Sequence, residues 1–185
     1  MRVGRWGLGA VIGIVSCILF PACSFLFGAK PPPESIRGYH DQTVIMRKGH
    51  YRVGAIGNEW HPSSSLLSSK NGALVFRNSG TGATVSTYAA CGTRYDDATL
   101  AVLTRHLYMG VTDVTIQSQR ETRIDDRQAL WTRWQGMLDG VPVELETVSI
   151  KKNECLFDFY YVAFPESVER GRADFYRFVE GFSYQ

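Results

Sequence analysis

The dipeptide Asp139-Gly140 constrains the fold of this chain more than any other feature. It interrupts the run QALWTRWQGMLDGVPVELETVSI, which is rich in β-branched and aromatic residues on both sides. A two-residue type I′ turn needs positive φ at both central positions, and Asp-Gly accommodates this at little steric cost. The sequence therefore predicts an antiparallel hairpin, around which a sheet must be built. The next run, CLFDFYYVAFP, has the aromatic content of a strand largely buried in that sheet.

The flanking segments supply the other elements. TVIMRKGHYRVGAI reads as one or two short strands, GNEWHPSSSLLSSKNG as a polar loop, and ALVFRNS and ATVSTYAAC as strands around a Gly-Thr-Gly turn. In YDDATLAVLTRHLYMGV, Leu100, Leu103 and Leu107 recur at helical spacing, with Asp96 or Asp97 as cap and Gly110 as stop. VTIQSQRETRI alternates in polarity like a strand. Near the end, Val168, Phe175, Phe178, Val179 and Phe182 form the apolar stripe of a second helix, which Gly171 should weaken by about 1 kcal/mol relative to alanine. Helices segregated from a run of antiparallel strands predict an α+β domain, an antiparallel sheet packed with two helices.

The amino-terminal segment sets the compartment. Arg2 and Arg5 precede a run without charge from Trp6 to Ala29, the pattern of an export signal. Uncleaved, that run is long enough to cross a bilayer. It also resembles a bacterial lipoprotein signal peptide, in which a small residue precedes a cysteine that becomes acylated. IVSC fits that box at Cys17, but cleavage there would leave an apolar mature start. FPAC departs from the box at Phe20 and Pro21, yet keeps Ala22 before Cys23 and gives a leader of more usual length. Cys23 is therefore the expected site of lipid attachment and Cys17 the alternative, and Ser24 resembles an outer-membrane sorting residue. This divides the chain into a signal peptide (1–22), a lipid-anchored Pro-rich linker (23–43) and a globular domain (44–185). Three consecutive prolines, Pro31 to Pro33, favour an extended spacer in the linker.

Several chemistries lack their residues. Of the 20 Lys+Arg only Arg2 and Arg5 precede Lys30, which leaves 18 basic against 18 acidic residues and no basic excess for nucleic acid. His40, His50, His61 and His106 show no ligand spacing, so no metal is expected. NSGTGATVS matches neither a nucleophile elbow nor a phosphate loop, and Asp96-Asp97 and Asp125-Asp126 suit a cap and a turn. No cofactor and no enzymatic activity are expected. Cys91 and Cys155 lie at the ends of two predicted strands, and outside the cytoplasm they can close a loop of about 65 residues, worth roughly 4 kcal/mol. Two separate buried thiols are the alternative. Trp131, Trp134, Phe157, Phe159, Tyr160 and Tyr161 should be core, or line a groove where a helix leaves its face uncovered. Trp60, in its polar loop, is the candidate partner contact.

From Gly72 to Phe182, the early strand pair, mid-chain helix, long hairpin, aromatic CLFDFYYVAF strand and final FYRFVEGF helix resemble the PsbP-like α/β/α sandwich. Proteins of that fold serve as extrinsic photosystem subunits, as a nuclear GTPase-binding factor and as bacterial envelope lipoproteins. The resemblance therefore implies adaptor-like use of a scaffold and carries over no catalytic or metal residue. The expected function is that of a non-catalytic lipid-anchored protein on the periplasmic face of the outer membrane, an adaptor or accessory subunit for another envelope component. A periplasmic carrier of a small apolar ligand, which needs a closed apolar pocket, is the alternative. An envelope enzyme, which needs titratable groups converging in a cleft, comes third.

Overall fold

The computed structural model describes residues 38–46, 49–63, 73–92, 95 and 98–185. Cys17, Cys23, Asp96 and Asp97 lie outside the described residues.

Three consecutive hairpins form half of the main sheet. Strand β7 (Val111–Ile124) turns at Asp125-Asp126 into β8 (Arg127–Leu138), Asp139-Gly140 leads into β9 (Val141–Lys152), and Asn153-Glu154 leads into β10 (Cys155–Ala163). All six turn residues have positive φ, between 48° and 80°. Asp, Asn and Gly tolerate that region best, which fixes the turns and with them the register, Leu138 opposite Val141. Strands β4 (Trp60–Pro62), β5 (Ala73–Asn78) and β6 (Thr84–Cys91) complete a seven-stranded antiparallel sheet in the order β4-β5-β6-β10-β9-β8-β7. A second sheet, β1-β2-β3-β11, comprises β1 (Gly38–His40), β2 (Thr43–Met46), β3 (Gly49–Arg52) and the carboxy-terminal β11 (Ser183–Tyr184). Because β1 pairs with β2, Gly38 opposite Ile45, the folded chain begins by Gly38, ahead of the expected boundary at Val44.

Alternation divides β10 between two faces. Phe157, Phe159 and Tyr161 point inward, toward helix α2 (Val168–Glu180) and the small sheet, whereas Leu156, Asp158, Tyr160 and Val162 point to the outer face. Phe175, Phe178 and Val179 of α2 are wholly buried, and Phe182 follows them just past its end. Phe175 stacks on Tyr161 with centroids 5.6 Å apart, and Phe178 meets Phe76 edge-on at 5.7 Å. Each buried aromatic of this kind contributes about 1.5–3 kcal/mol, so this stripe holds α2 on the sheet. From the small sheet, Tyr51 reaches Phe157 at 5.4 Å and Tyr184 reaches it at 4.9 Å.

Gly171 serves packing, where propensity alone marked it as a weakness. A Cβ there would lie 2.6 Å from Tyr161 Oη and 3.0 Å from Trp60 Cζ2. Both rings are buried, and Tyr161 Oη donates to the Val168 carbonyl at 2.6 Å, so neither ring can withdraw. Overpacking costs about 1–3 kcal/mol, against about 1 kcal/mol gained in helix propensity. Gly171→Ala is therefore expected to lower Tm; a rise in thermal unfolding would refute this account.

The mid-chain helix is shorter than its leucine spacing predicts. Helix α1 covers only Leu100–Thr104, followed by a 3-10 turn over Arg105–Tyr108. Its cap is Thr99, whose side chain accepts from the Val102 amide, and neither expected aspartate takes that place. Thr104 Oγ1 bonds back to the Leu100 carbonyl at 2.8 Å and lies 3.2 Å from Ser149 Oγ, which ties the helix end to the sheet. Leu100 and Leu107 are buried and Leu103 half-buried, while Gly110, at φ 92°, ends the segment as expected.

Candidate functional site

Trp60 is buried within the fold and is not an exposed loop residue. It pairs opposite Asn78 in β4, is 4% exposed, donates Nε1 to Asp174 Oδ2 at 2.8 Å and meets Tyr161 edge-on. The loop composition around it concealed a strand, and the indole found both an apolar bed and an acceptor on α2. His50 and His61 are exposed, on β3 and β4.

Beneath α2, one buried carboxylate gathers four donors. Glu146 Oε1 accepts from Trp131 Nε1 at 2.6 Å, Tyr176 Oη at 2.9 Å and Arg133 Nε at 3.1 Å, while Oε2 accepts from Arg172 Nε at 3.0 Å. Arg133 also donates to Tyr176 Oη at 2.6 Å. Burial pushes the Tyr176 hydroxyl up, while the Arg133 hydrogen bond opposes that shift. With every oxygen satisfied, the cluster fastens α2 to β8 and β9 and has the character of a structural clamp. Sequence reasoning missed it, although VPVELETVSI places Glu146 on the same face as Val148 and Ile150, where a carboxylate needs partners.

The outer face is covered unevenly. Helix α1 lies over β8 and β9, with Leu100 packed among Leu130, Leu156 and Ala90. Tyr108, just beyond, packs against Trp134 at 4.7 Å. Across β5, β6 and β10, Val75, Ser86 and Tyr160 stand in one row, with Tyr88 and Val162 beside it, and all five are only half-buried. Tyr160 stands in this row, while Tyr88 packs against the cluster beneath α1.

Between the covered and open halves lies Asp158, fully buried. Its Oδ1 accepts from Ser149 Oγ at 2.6 Å, its Oδ2 has no hydrogen-bond partner, and His106 Nε2 is 3.8 Å from Oδ2. Ser, His and Asp are the residue types of a nucleophilic triad, but here the carboxylate accepts from the serine. In a working triad the imidazole holds that place, so this arrangement does not activate Ser149. A cleft of about 450 Å³ beside Thr99, Glu121, Gln128 and Lys151, and one of about 540 Å³ beside Glu59, His61 and Arg170, are open and charged. Neither has the enclosed apolar form a carrier of an apolar ligand requires. Among the described residues no three His, Cys, Asp or Glu converge as for a metal ion.

Burial pushes the Tyr161 hydroxyl up to about 12 and those of Tyr51 and Tyr160 higher still, Tyr160 also through the Asp158 charge. Folding thus favours the neutral phenol, while the unfolded chain ionises near pH 10. That stability is full below about pH 10 and is lost as pH rises, at about 1.4 kcal/mol per pH unit for each tyrosine. Tm is expected to be level at pH 8–9 and to fall steeply above about pH 10. A level Tm to about pH 12 would contradict the burial of these phenols.

No protein-family model and no curated protein matches the chain. Solved structures do. Cyanobacterial PsbP (CyanoP) from Synechocystis is 10% identical and superposes with a TM-score of 0.55 over 85% of this chain and 96% of its own. LpqN, involved in cell envelope biogenesis of Mycobacterium tuberculosis, is 9% identical, with a TM-score of 0.54 over 74% of this chain and 85% of its own. A Pseudomonas aeruginosa protein of unknown function, a putative regulator, is 11% identical, with a TM-score of 0.51 over 75% and 92%. At such identities the likeness concerns architecture, and the chain has the PsbP-like α+β fold, an antiparallel sheet with two helices.

Proposed function

We propose that this chain is a tethered, non-catalytic envelope protein that docks another envelope component through the open half of its outer face. The observation that carries the reading is the half-buried row Val75–Ser86–Tyr160, which lies beyond the strands that α1 covers. A tyrosine flanked by small and aliphatic residues on a rigid sheet favours protein contact, because such a side chain buries much surface at little cost in entropy. Envelope biogenesis, the role stated for LpqN, is compatible with this use of the fold. The export pattern before Lys30 supplies the tether, by acylation at Cys23.

The test is photo-crosslinking in cells that make the full chain, with a benzophenone amino acid at Ser86 or Val75 and, as control, at Glu180 on the exposed side of α2. A discrete adduct with one envelope protein, formed from the sheet positions and absent from the control, is the expected result. Equal labelling from all three positions, or none from the sheet, would overturn the docking surface. Mass spectrometry of the amino-terminal peptide reads the tether separately. A diacylated peptide starting at Cys23 supports it, one at Cys17 moves it, and an unmodified peptide starting at Met1 refutes it.

A further inference from the structure

A second surface lies at the opposite end of the sheet from the small sheet. Val141, Leu138 and Val111 occupy one row across β9, β8 and β7, on the outer face. Met109 precedes that row in the chain, and Ile116 lies further along β7, opposite Trp134. Met109 is 78% exposed, Ile116 53%, Val141 44% and Leu138 40%, four of the seven large apolar side chains that stand exposed among the described residues. Scattered singly such residues need no explanation, but gathered at one corner they mark an interaction site.

The charge of this corner narrows its occupant. Residues 108–118 and 134–145 contain Asp113, Asp139 and Glu144 and not one lysine or arginine, in a chain of net charge +2. Glu144 lies near Arg172 on the inner side, whereas Asp113, in the irregularity of β7 between Thr112 and Thr115, and Asp139, next to Leu138 in the hairpin turn, are exposed. An anionic bilayer surface would be repelled. A second copy docked by a two-fold axis would set each aspartate patch against its own image. The corner lies at the other end of β7 from the carboxy-terminal strand β11. Tyr184 of the small sheet bonds to Asp125, at the far end of the 14-residue β7, about 40 Å from Val111 at the rise of a strand.

We infer that the corner Met109–Val111–Leu138–Val141 binds a protein segment that combines apolar side chains with flanking lysine or arginine, as on one face of an amphipathic basic helix. The apolar row supplies the desolvated centre, and Asp113 and Asp139 supply the rim that orients the segment and speeds its capture.

Oxidation of Met109 by hydrogen peroxide, read by peptide mass spectrometry, reports what covers it. The full chain is held in phosphatidylcholine nanodiscs and offered an 18-residue Leu/Lys helical peptide, or the same peptide with Glu for Lys. The expected result is that the Leu/Lys peptide slows Met109 oxidation at least threefold and the Leu/Glu peptide does not. Asp113→Asn combined with Asp139→Asn should abolish most of that protection. Both aspartates have φ near 50°, which asparagine tolerates equally well, so the fold is kept. Equal protection by both peptides, no protection, or protection unchanged in the double variant would overturn the proposal. Protection by the bilayer alone would make lipid the occupant, and protection that rises with protein concentration alone would make it a second copy.

Discussion

Glu146→Gln is expected to destabilise the fold by about 3 kcal/mol, which for a chain of this size lowers Tm by roughly 6–12 °C. The carboxylate is 2% exposed and is the common acceptor for Trp131, Arg133, Tyr176 and Arg172. An amide of the same shape keeps the volume but removes the charge and turns one acceptor into a donor. Arg172, only 12% exposed, then loses its buried partner and retains Glu169 and Glu144 at the rim. Arg133, 40% exposed, can swing toward water, which holds the loss near the lower end for broken buried pairs. Arg133→Gln alone should therefore cost less than half as much. Because the cluster joins α2 to β8 and β9, the Gln variant should also loosen α2 first, with faster amide exchange in Phe175–Val179 than in β9. Similar losses in the two single variants would mean that Glu146 is not the centre of the clamp.

Legibility in the sequence followed the range of the interaction. The hairpin at Asp139-Gly140 and the stripe Val168–Phe175–Phe178–Val179 were readable because turn chemistry and helical spacing act within a few residues. Trp60 was not, since its acceptor Asp174 is 114 residues away and its strand is three residues long. The length of α1 was hidden for a similar reason: the Thr104 to Ser149 contact that ends it spans 45 residues. The open row across β5, β6 and β10 follows from that short helix, so the sequence named Tyr160 and could state the groove only as a condition. Asp158 carries a trace in the sequence, a lone acid within CLFDFYYVAF, which announces a buried carboxylate without naming Ser149 or His106.

Cys91 and Cys155 stand directly opposite each other in β6 and β10 and are joined by a disulfide across 64 residues. The loop it closes holds α1, β7, β8 and β9, so the bond's main effect falls on the unfolded chain, whose loop-closure entropy it removes. The chain-entropy model gives about 4 kcal/mol for a loop of this length. Changing both cysteines to alanine is expected to cost about that much and to lower Tm by roughly 8–16 °C, with the native sheet retained. Retention is expected because the β7–β8 and β8–β9 hairpins are local in sequence and need no cross-link to find their register. Both cysteines are at most 7% exposed, and Cys155 lies under Tyr184, so a reductant reaches the bond only when the small sheet opens. Reduction of the native protein should therefore be slow and should quicken under mild denaturant. A double variant within about 1 kcal/mol of the parent would sink the entropic account. Two thiols titrating in protein recovered from an oxidising compartment would remove the bond itself.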